Sequence, residues 1–147
     1  MNEVEDAVHA RIETGEPVAD LKITGGRLNG VEIGTESVAR TIDEYPILAV
    51  AAALADGVTV ISGVKELRFK ESDRIGAMTE GLRRLGVIVE EREDGMTIRG
   101  REALQGNKVR SFADHRVAMS LAADGNSDIY VVELARRTEQ AAESQRR

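Results

Sequence analysis

Residues 70–99 read KESDRIGAMTEGLRRLGVIVEEREDGMTIR, and the punctuation of that string decides the fold. Ile75, Met78, Leu82 and Leu85 recur at three- and four-residue steps, which gathers them on one face of a helix over residues 72–86. Gly86 supplies the stop. Residues 87–92 and 96–99 then read as two strands joined by Glu93-Asp94-Gly95, a glycine-containing hairpin turn. Upstream, Asp43-Glu44-Tyr45-Pro46 opens the apolar run ILAVAAALA. Pro46 has no amide hydrogen and suits a first helical turn, with Asp43 the expected N-cap and Gly57 the stop. Residues 58–61 form a β-branched strand ending at Ser62-Gly63, and residues 31–33 a shorter one. Residues 31–99 therefore read strand, helix, strand, helix, strand, strand. This βαβαββ unit, with helices packed on one face of a small sheet, places the chain in the α+β (α/β-like) class.

The flanks are less regular. Residues 1–17 are charged, are closed off by Gly15 and Pro17, and read as a fraying helix or a loop. Residues 18–23 (VADLKI) alternate apolar and polar as a strand would, before the Gly25-Gly26 turn. The stretch KELRFK, residues 65–70, also alternates and reads as an edge strand with Glu66 and Arg68 as its polar teeth. Asp114-His115-Arg116 opens another helical stretch that ends near Asp124-Gly125, and residues 129–132 suit a strand. The tail ELARRTEQAAESQRR is helix-permissive but has little apolar face, so it reads as a solvated terminus.

Composition narrows the chemistry. With 147 residues the chain suits one domain. Aromatic residues are only 3%, so the core is built from Val, Ile, Leu and Ala, and little is left for base stacking. Twenty basic against 26 acidic residues give a net charge of −6, which opposes general polyanion binding but allows a local basic pocket. The absence of Cys excludes disulfides and thiolate metal sites, and His9 and His115 alone do not make a multi-histidine centre. No apolar run reaches bilayer length, and the acidic start MNEVEDAVHA lacks a secretory apolar core. A soluble cytoplasmic protein is expected.

Ionisable residues cluster at three helix starts: Lys70-Glu71-Ser72-Asp73-Arg74, Asp114-His115-Arg116 and Thr41-Ile42-Asp43-Glu44. Acids there are ordinary. Cations there are opposed by the helix dipole, at roughly 0.3–1 kcal/mol each. Something negative must compensate Lys70, Arg74 and Arg116. One reading is pairing within the protein, Arg74 with Glu71 and Arg116 with Asp114. The other is a shared anion ligand, drawn also to free helix amides.

IDEYPILAVAAALADG (residues 42–57), ELRFKESDRIGAMTEGLRRLGV (66–87) and ADHRVAMSLA (113–122) together resemble the 5-enolpyruvylshikimate-3-phosphate synthase family, in the family's order. The resemblance covers residues 16–124 and divides the chain into an N-terminal extension (1–17), a lobe (18–124) and a divergent polar tail (125–147). The UDP-N-acetylglucosamine enolpyruvyl transferases share the fold, but the IDEYP, KESDR and DHR strings favour the shikimate enzymes. The family's two lobes are each built from βαβαββ units around a cleft, so the resemblance implies that this chain is a large part of the lobe formed by the C-terminal half.

The resemblance also implies transfer of the enolpyruvyl group of phosphoenolpyruvate to the 5-hydroxyl of shikimate 3-phosphate, with release of phosphate and with no cofactor or metal. It gives Asp43 the role of general base and shikimate 3-phosphate ligand, and Glu71 that of acid–base carboxylate. Lys70, and Glu66 beside it, correspond to positions contacting shikimate 3-phosphate. Arg74 and Arg116 correspond to the pair that grips phosphoenolpyruvate, with His115 next to it. The family's other lobe has no counterpart in this sequence, and no Lys follows Lys108. A second lobe or a second copy of the chain is thus the expected partner. A non-catalytic anion-binding lobe is the alternative.

Overall fold

The computed structural model describes residues 9–20, 22, 24–123 and 128–132. The expected polar tail (133–147) and the first eight residues lie outside the described residues. In chain order the elements are β1 (His9–Glu13), β2 (Glu16–Asp20), β3 (Glu32–Ile33), α1 (Val38–Thr41), α2 (Tyr45–Ala53), β4 (Val58–Ile61), α3 (Arg74–Arg84), β5 (Ile88–Arg92), β6 (Gly95–Arg99), β7 (Lys108–Arg110), α4 (His115–Ala122) and β8 (Tyr130–Val132). From β3 to β6 this is the βαβαββ unit read from the sequence, with the one-turn α1 added ahead of α2.

The central sheet has the order β3-β4-β6-β5. β3 lies parallel to β4, while β4 with β6 and β6 with β5 are antiparallel. The tight β5–β6 hairpin needs Gly95, because a Cβ there would lie 2.0 Å from the Ile61 carbonyl oxygen of β4. α3 packs on β5 through the apolar stripe recognised in the sequence: Ile75, Met78 and Leu82 are buried, as is Leu85 just beyond. Each such side chain contributes about 1.5–3 kcal/mol by leaving water. α2 is apolar all round; α3, α4 and β6 cover most of it, while Ile47 stays exposed.

Several local expectations need correction. Residues 9–13 and 16–20 pair as a hairpin, β1 with β2, where helix or loop was expected through residue 17. Thr14 and Gly15 at its tip both have positive φ, which turns the chain back on itself. The stretch Lys65–Phe69 is a 3-10 turn rather than an edge strand, with Leu67 as its one buried residue. Its alternation reflects only that Leu67 points inward between charged neighbours. β7 was not anticipated; it is short and pairs in parallel with β8, Lys108 opposite Tyr130. Asp43 is not a helix N-cap. A 3-10 turn, Ile42–Glu44, precedes α2, the capping position falls on Glu44, and the Asp43 side chain is free to turn elsewhere.

No helix among the described residues is long and apolar enough to cross a membrane.

Candidate functional site

Two aspartates build the site from the helix starts. Asp73 caps α3, its Oδ1 accepting from the Gly76 amide at 3.0 Å. Its Oδ2 accepts from Arg68 at 2.7 Å, and Arg68 also donates to the carbonyls of Arg92 and Glu93, tying the 3-10 turn to the β5–β6 hairpin. Asp114 caps α4 in the same divided manner. Its Oδ1 accepts from the amides of Arg116 (2.9 Å) and Val117 (3.3 Å), leaving Oδ2 for other donors. Phe112 and Ala113, with φ of 57° and 60°, swing the chain into this cap. Two successive non-glycine residues in the left-handed region cost about 1–2 kcal/mol each, an expense the surrounding contacts must cover.

The Asp114 Oδ2 meets Arg74. The guanidinium of Arg74 is 1% exposed and is held by three carboxylates from three segments. Nε donates to Asp114 Oδ2 at 2.8 Å, Nη1 to Asp43 Oδ1 at 3.0 Å and Nη2 to Glu71 Oε2 at 2.5 Å. The Ser72 hydroxyl donates to the same Asp114 oxygen at 3.1 Å. The three carboxylates differ in depth: Asp114 is 0% exposed at its side chain, whereas Asp43 and Glu71 are 48% and 52% exposed.

Burial alone would lower the pKa of Arg74, but hydrogen bonds to Asp114 and Asp43 outweigh it and hold the value above the ordinary one. Asp114 is the mirror case. Burial would raise its pKa, yet Arg74, the Val117 amide and Ser72 together hold it below the usual carboxylate value. Both groups are therefore charged at neutral pH.

Arg116 stands beside this cluster. Its Nη1 donates to the Asp43 carbonyl at 3.2 Å and to Glu44 Oε1 at 3.3 Å, and its Nη2 lies 3.7 Å from Asp43 Oδ2. Arg116 is one third exposed, and with Asp43, Glu44, Ile47, Met119 and Ser120 it lines an open hollow of about 240 Å³. Lys70 forms an ion pair with Glu66 at 2.6 Å, which raises its pKa, and Asp43 adds to that shift. His115 is exposed at the first position of α4.

The structure thus draws Asp43, Glu71, Arg74 and Arg116 into one cluster, with the Lys70–Glu66 pair and His115 at its border. Of the two pairings considered from sequence, Arg74 with Glu71 is present. Arg116 pairs instead with Asp43 and Glu44, because the Asp114 carboxylate turns inward to Arg74 and offers Arg116 only a cap for its backbone amide. Asp114 and Ser72, as holders of Arg74, were not picked out from sequence. The available signal was the capping position of Asp114, which puts a carboxylate at the helix start beside Arg116. A second hollow, about 220 Å³ and lined by Leu28, Val31, Ile33, Leu48 and Ala51 among others, has no ionisable residue in its lining.

A small mixed sheet flanked by helices, with guanidinium and carboxylate groups gathered where the helices begin, defines an α/β protein with a charged cluster at its helix starts. The family model of EPSP synthase (3-phosphoshikimate 1-carboxyvinyltransferase) matches residues 2–138, beyond both ends of the 16–124 stretch that carries the resemblance, and the chain belongs to that family. It is 51% identical over 113 residues to the 3-phosphoshikimate 1-carboxyvinyltransferase of Geotalea daltonii, covering 77% of this chain and 26% of that protein. The corresponding protein of Magnetococcus marinus is 55% identical over 113 residues, with 76% and 25% covered. A solved structure of EPSP synthase from Acinetobacter baumannii superposes with a TM-score of 0.75 at 42% identity, covering 80% of this chain and 28% of that one. The chain spans about a quarter of the length of the curated relatives it matches.

Proposed function

We propose that this chain takes part in enolpyruvyl transfer from phosphoenolpyruvate to the 5-hydroxyl of shikimate 3-phosphate, a step of aromatic amino-acid biosynthesis in the cytoplasm. It would contribute one wall of a site whose other wall comes from the remainder of the family's architecture or from a second copy. The observation that carries this reading is the cluster of Asp43, Glu71, Arg74 and Arg116, drawn from three separate segments. Two guanidinium groups match the carboxylate and phosphate of phosphoenolpyruvate, and can hold its C2 near the attacking hydroxyl.

The chemistry needs one proton placed on the methylene carbon and one removed from the hydroxyl as its oxygen bonds to C2. Phosphate then leaves from C2, and loss of a proton from the new methyl group regenerates the double bond. Asp43 and Glu71, half-exposed and beside the guanidinium groups, are the carboxylates proposed to move these protons. Lys70 and Glu66 would meet shikimate 3-phosphate, with His115 beside phosphoenolpyruvate.

The test is phosphate release from phosphoenolpyruvate in the presence of shikimate 3-phosphate, with the chain alone and with a complementing lobe from a relative. Release that disappears in Glu71→Gln is the expected result. A second reading, an anion-binding lobe without turnover, is favoured by the burial of Arg74 among three carboxylates, which leaves Arg116 as the more accessible guanidinium. It prevails if phosphoenolpyruvate binds and neither arrangement releases phosphate.

A further inference from the structure

We propose that Asp114 is the positioning residue that sets Arg74 and Arg116 relative to one another, while Asp43 and Glu71 are exchangeable partners that give way to an incoming anion. The inference rests on the reading above, in which Arg74 and Arg116 receive phosphoenolpyruvate.

A guanidinium 1% exposed and walled in by three carboxylates offers a ligand no open approach as it stands. One partner must leave. Asp43 and Glu71 are about half exposed, so either can turn into water and be solvated there. Asp114 cannot: its side chain is fully buried, and its two oxygens together accept from Arg74, Ser72 and the amides of Arg116 and Val117. One carboxylate thereby fixes the Arg74 side chain through Oδ2 and the backbone of Arg116 through Oδ1. The start of α3 and the start of α4 are joined through this single group. Substrate carboxylate replacing Glu71 or Asp43 exchanges one charge-assisted hydrogen bond for another, with Arg74 held in place throughout.

Charge alone predicts the opposite behaviour for Asp114. Around Arg74 and Arg116 stand Asp43, Glu44, Glu71 and Asp114, four carboxylates against two guanidinium groups. Removing any one negative charge should help an anion bind. The variants Asp43→Asn, Glu71→Gln and Asp114→Asn each remove one, so the sign of their effects separates positioning from electrostatics.

The experiment titrates the full chain with phosphoenolpyruvate by NMR, reading backbone amides at 70–76 and 113–117 together with the Arg74 Nε–H resonance. Expected are affinities roughly twofold to fivefold higher in Asp43→Asn and Glu71→Gln, and about tenfold lower in Asp114→Asn, the scale of a lost charged hydrogen bond. Solvent exchange of Arg74 Nε–H should speed up by about tenfold or more in Asp114→Asn. Asn caps helices as well as Asp does, so α4 keeps its start. Should Asp114→Asn fail to fold, Ser72→Ala, which removes one donor from Oδ2, is expected to show the same two effects at roughly twofold.

Unchanged or tighter binding in Asp114→Asn overturns the inference, and so does an Arg74 Nε–H that stays protected. If the unaltered chain does not bind phosphoenolpyruvate, the functional reading falls. The exchange rate then decides the positioning role: faster exchange in Asp114→Asn upholds it, and unchanged exchange overturns it.

Discussion

Replacing Arg74 with Met tests the centre of the structure most directly, because Met keeps length and apolar contact while removing the charge and all its donors. The loss divides unequally among the three partners. Asp43 and Glu71 are half-exposed, recover water, and contribute at most about 1 kcal/mol each. Asp114 remains buried without its cation, and breaking a buried pair costs about 3–5 kcal/mol. The Ser72 hydroxyl and two helix amides still reach the Asp114 carboxylate, which puts the expected loss near the lower end, about 3 kcal/mol. At roughly 2–4 °C per kcal/mol for a chain of this size, Tm should fall by about 6–12 °C.

The pH dependence supplies a sharper signature. In the unaltered protein Asp114 titrates below its unfolded value, so its stabilising contribution is complete above the unfolded pKa, near about 3.9, and is lost as pH falls through the folded value. Without Arg74, burial, the largest influence on the Asp114 carboxyl, is opposed by the Val117 amide and Ser72, and the expected direction of its pKa is upward. The penalty is then largest at neutral pH and shrinks on acidification. The gap in Tm between the two proteins should therefore narrow from pH 7 to pH 4, and Asp114→Asn added to Arg74→Met should restore part of the loss. Calorimetry across that range checks both. A loss below about 1 kcal/mol, or a gap that does not change with pH, would refute the buried pair as the cause.

Ala113→Gly should stabilise the chain by about 0.5–1 kcal/mol, because glycine adopts the φ of 60° at no steric cost; a lower midpoint in urea would show that the turn carries no strain. Gly95→Ala should do the reverse. Its Cβ would sit 2.0 Å from the Ile61 carbonyl oxygen, which forces β4 and β6 apart at a cost of about 2 kcal/mol or more, and a urea midpoint unchanged from the parent would contradict the close pairing of those strands.

Much of this architecture was legible in the sequence for one reason: local period and punctuation coincide in residues 70–99. The spacing of Ile75, Met78 and Leu82 and the stop at Gly86 (φ 82°) are properties of adjacent residues, and the structure repeats them. Where reading failed, the deciding contact was remote or the pattern too short. KELRFK alternates, yet Arg68 donates to backbone carbonyls at residues 92 and 93, and those contacts hold the stretch as a 3-10 turn instead of a strand. β7 is a strand only because β8 lies beside it. The convergence of the three charged helix starts was expected, but not its wiring. Asp114 and Arg74 are separated by 40 positions, and no spacing rule reports which of several arginines a distant carboxylate will choose.

The internal pairing at those helix starts is present in the structure, and it does not exclude the anion site proposed above. A lone arginine at a helix start would sit hydrated, against the dipole, and a ligand would have to strip its water before holding it. In this protein the desolvation of Arg74 has already been compensated by Asp114, and the exposed arms of Asp43 and Glu71 each take one donor from Nη1 and Nη2. On the proposed function, an arriving carboxylate would meet a guanidinium that is dry, oriented and fully charged, and the step left to it would be a substitution between like groups. The cost is selectivity of a particular kind. A ligand must outcompete a tethered carboxylate, so a singly charged anion gains little by entering, whereas one that reaches Arg74 and Arg116 together replaces the contacts it displaces and adds those it makes to the second guanidinium.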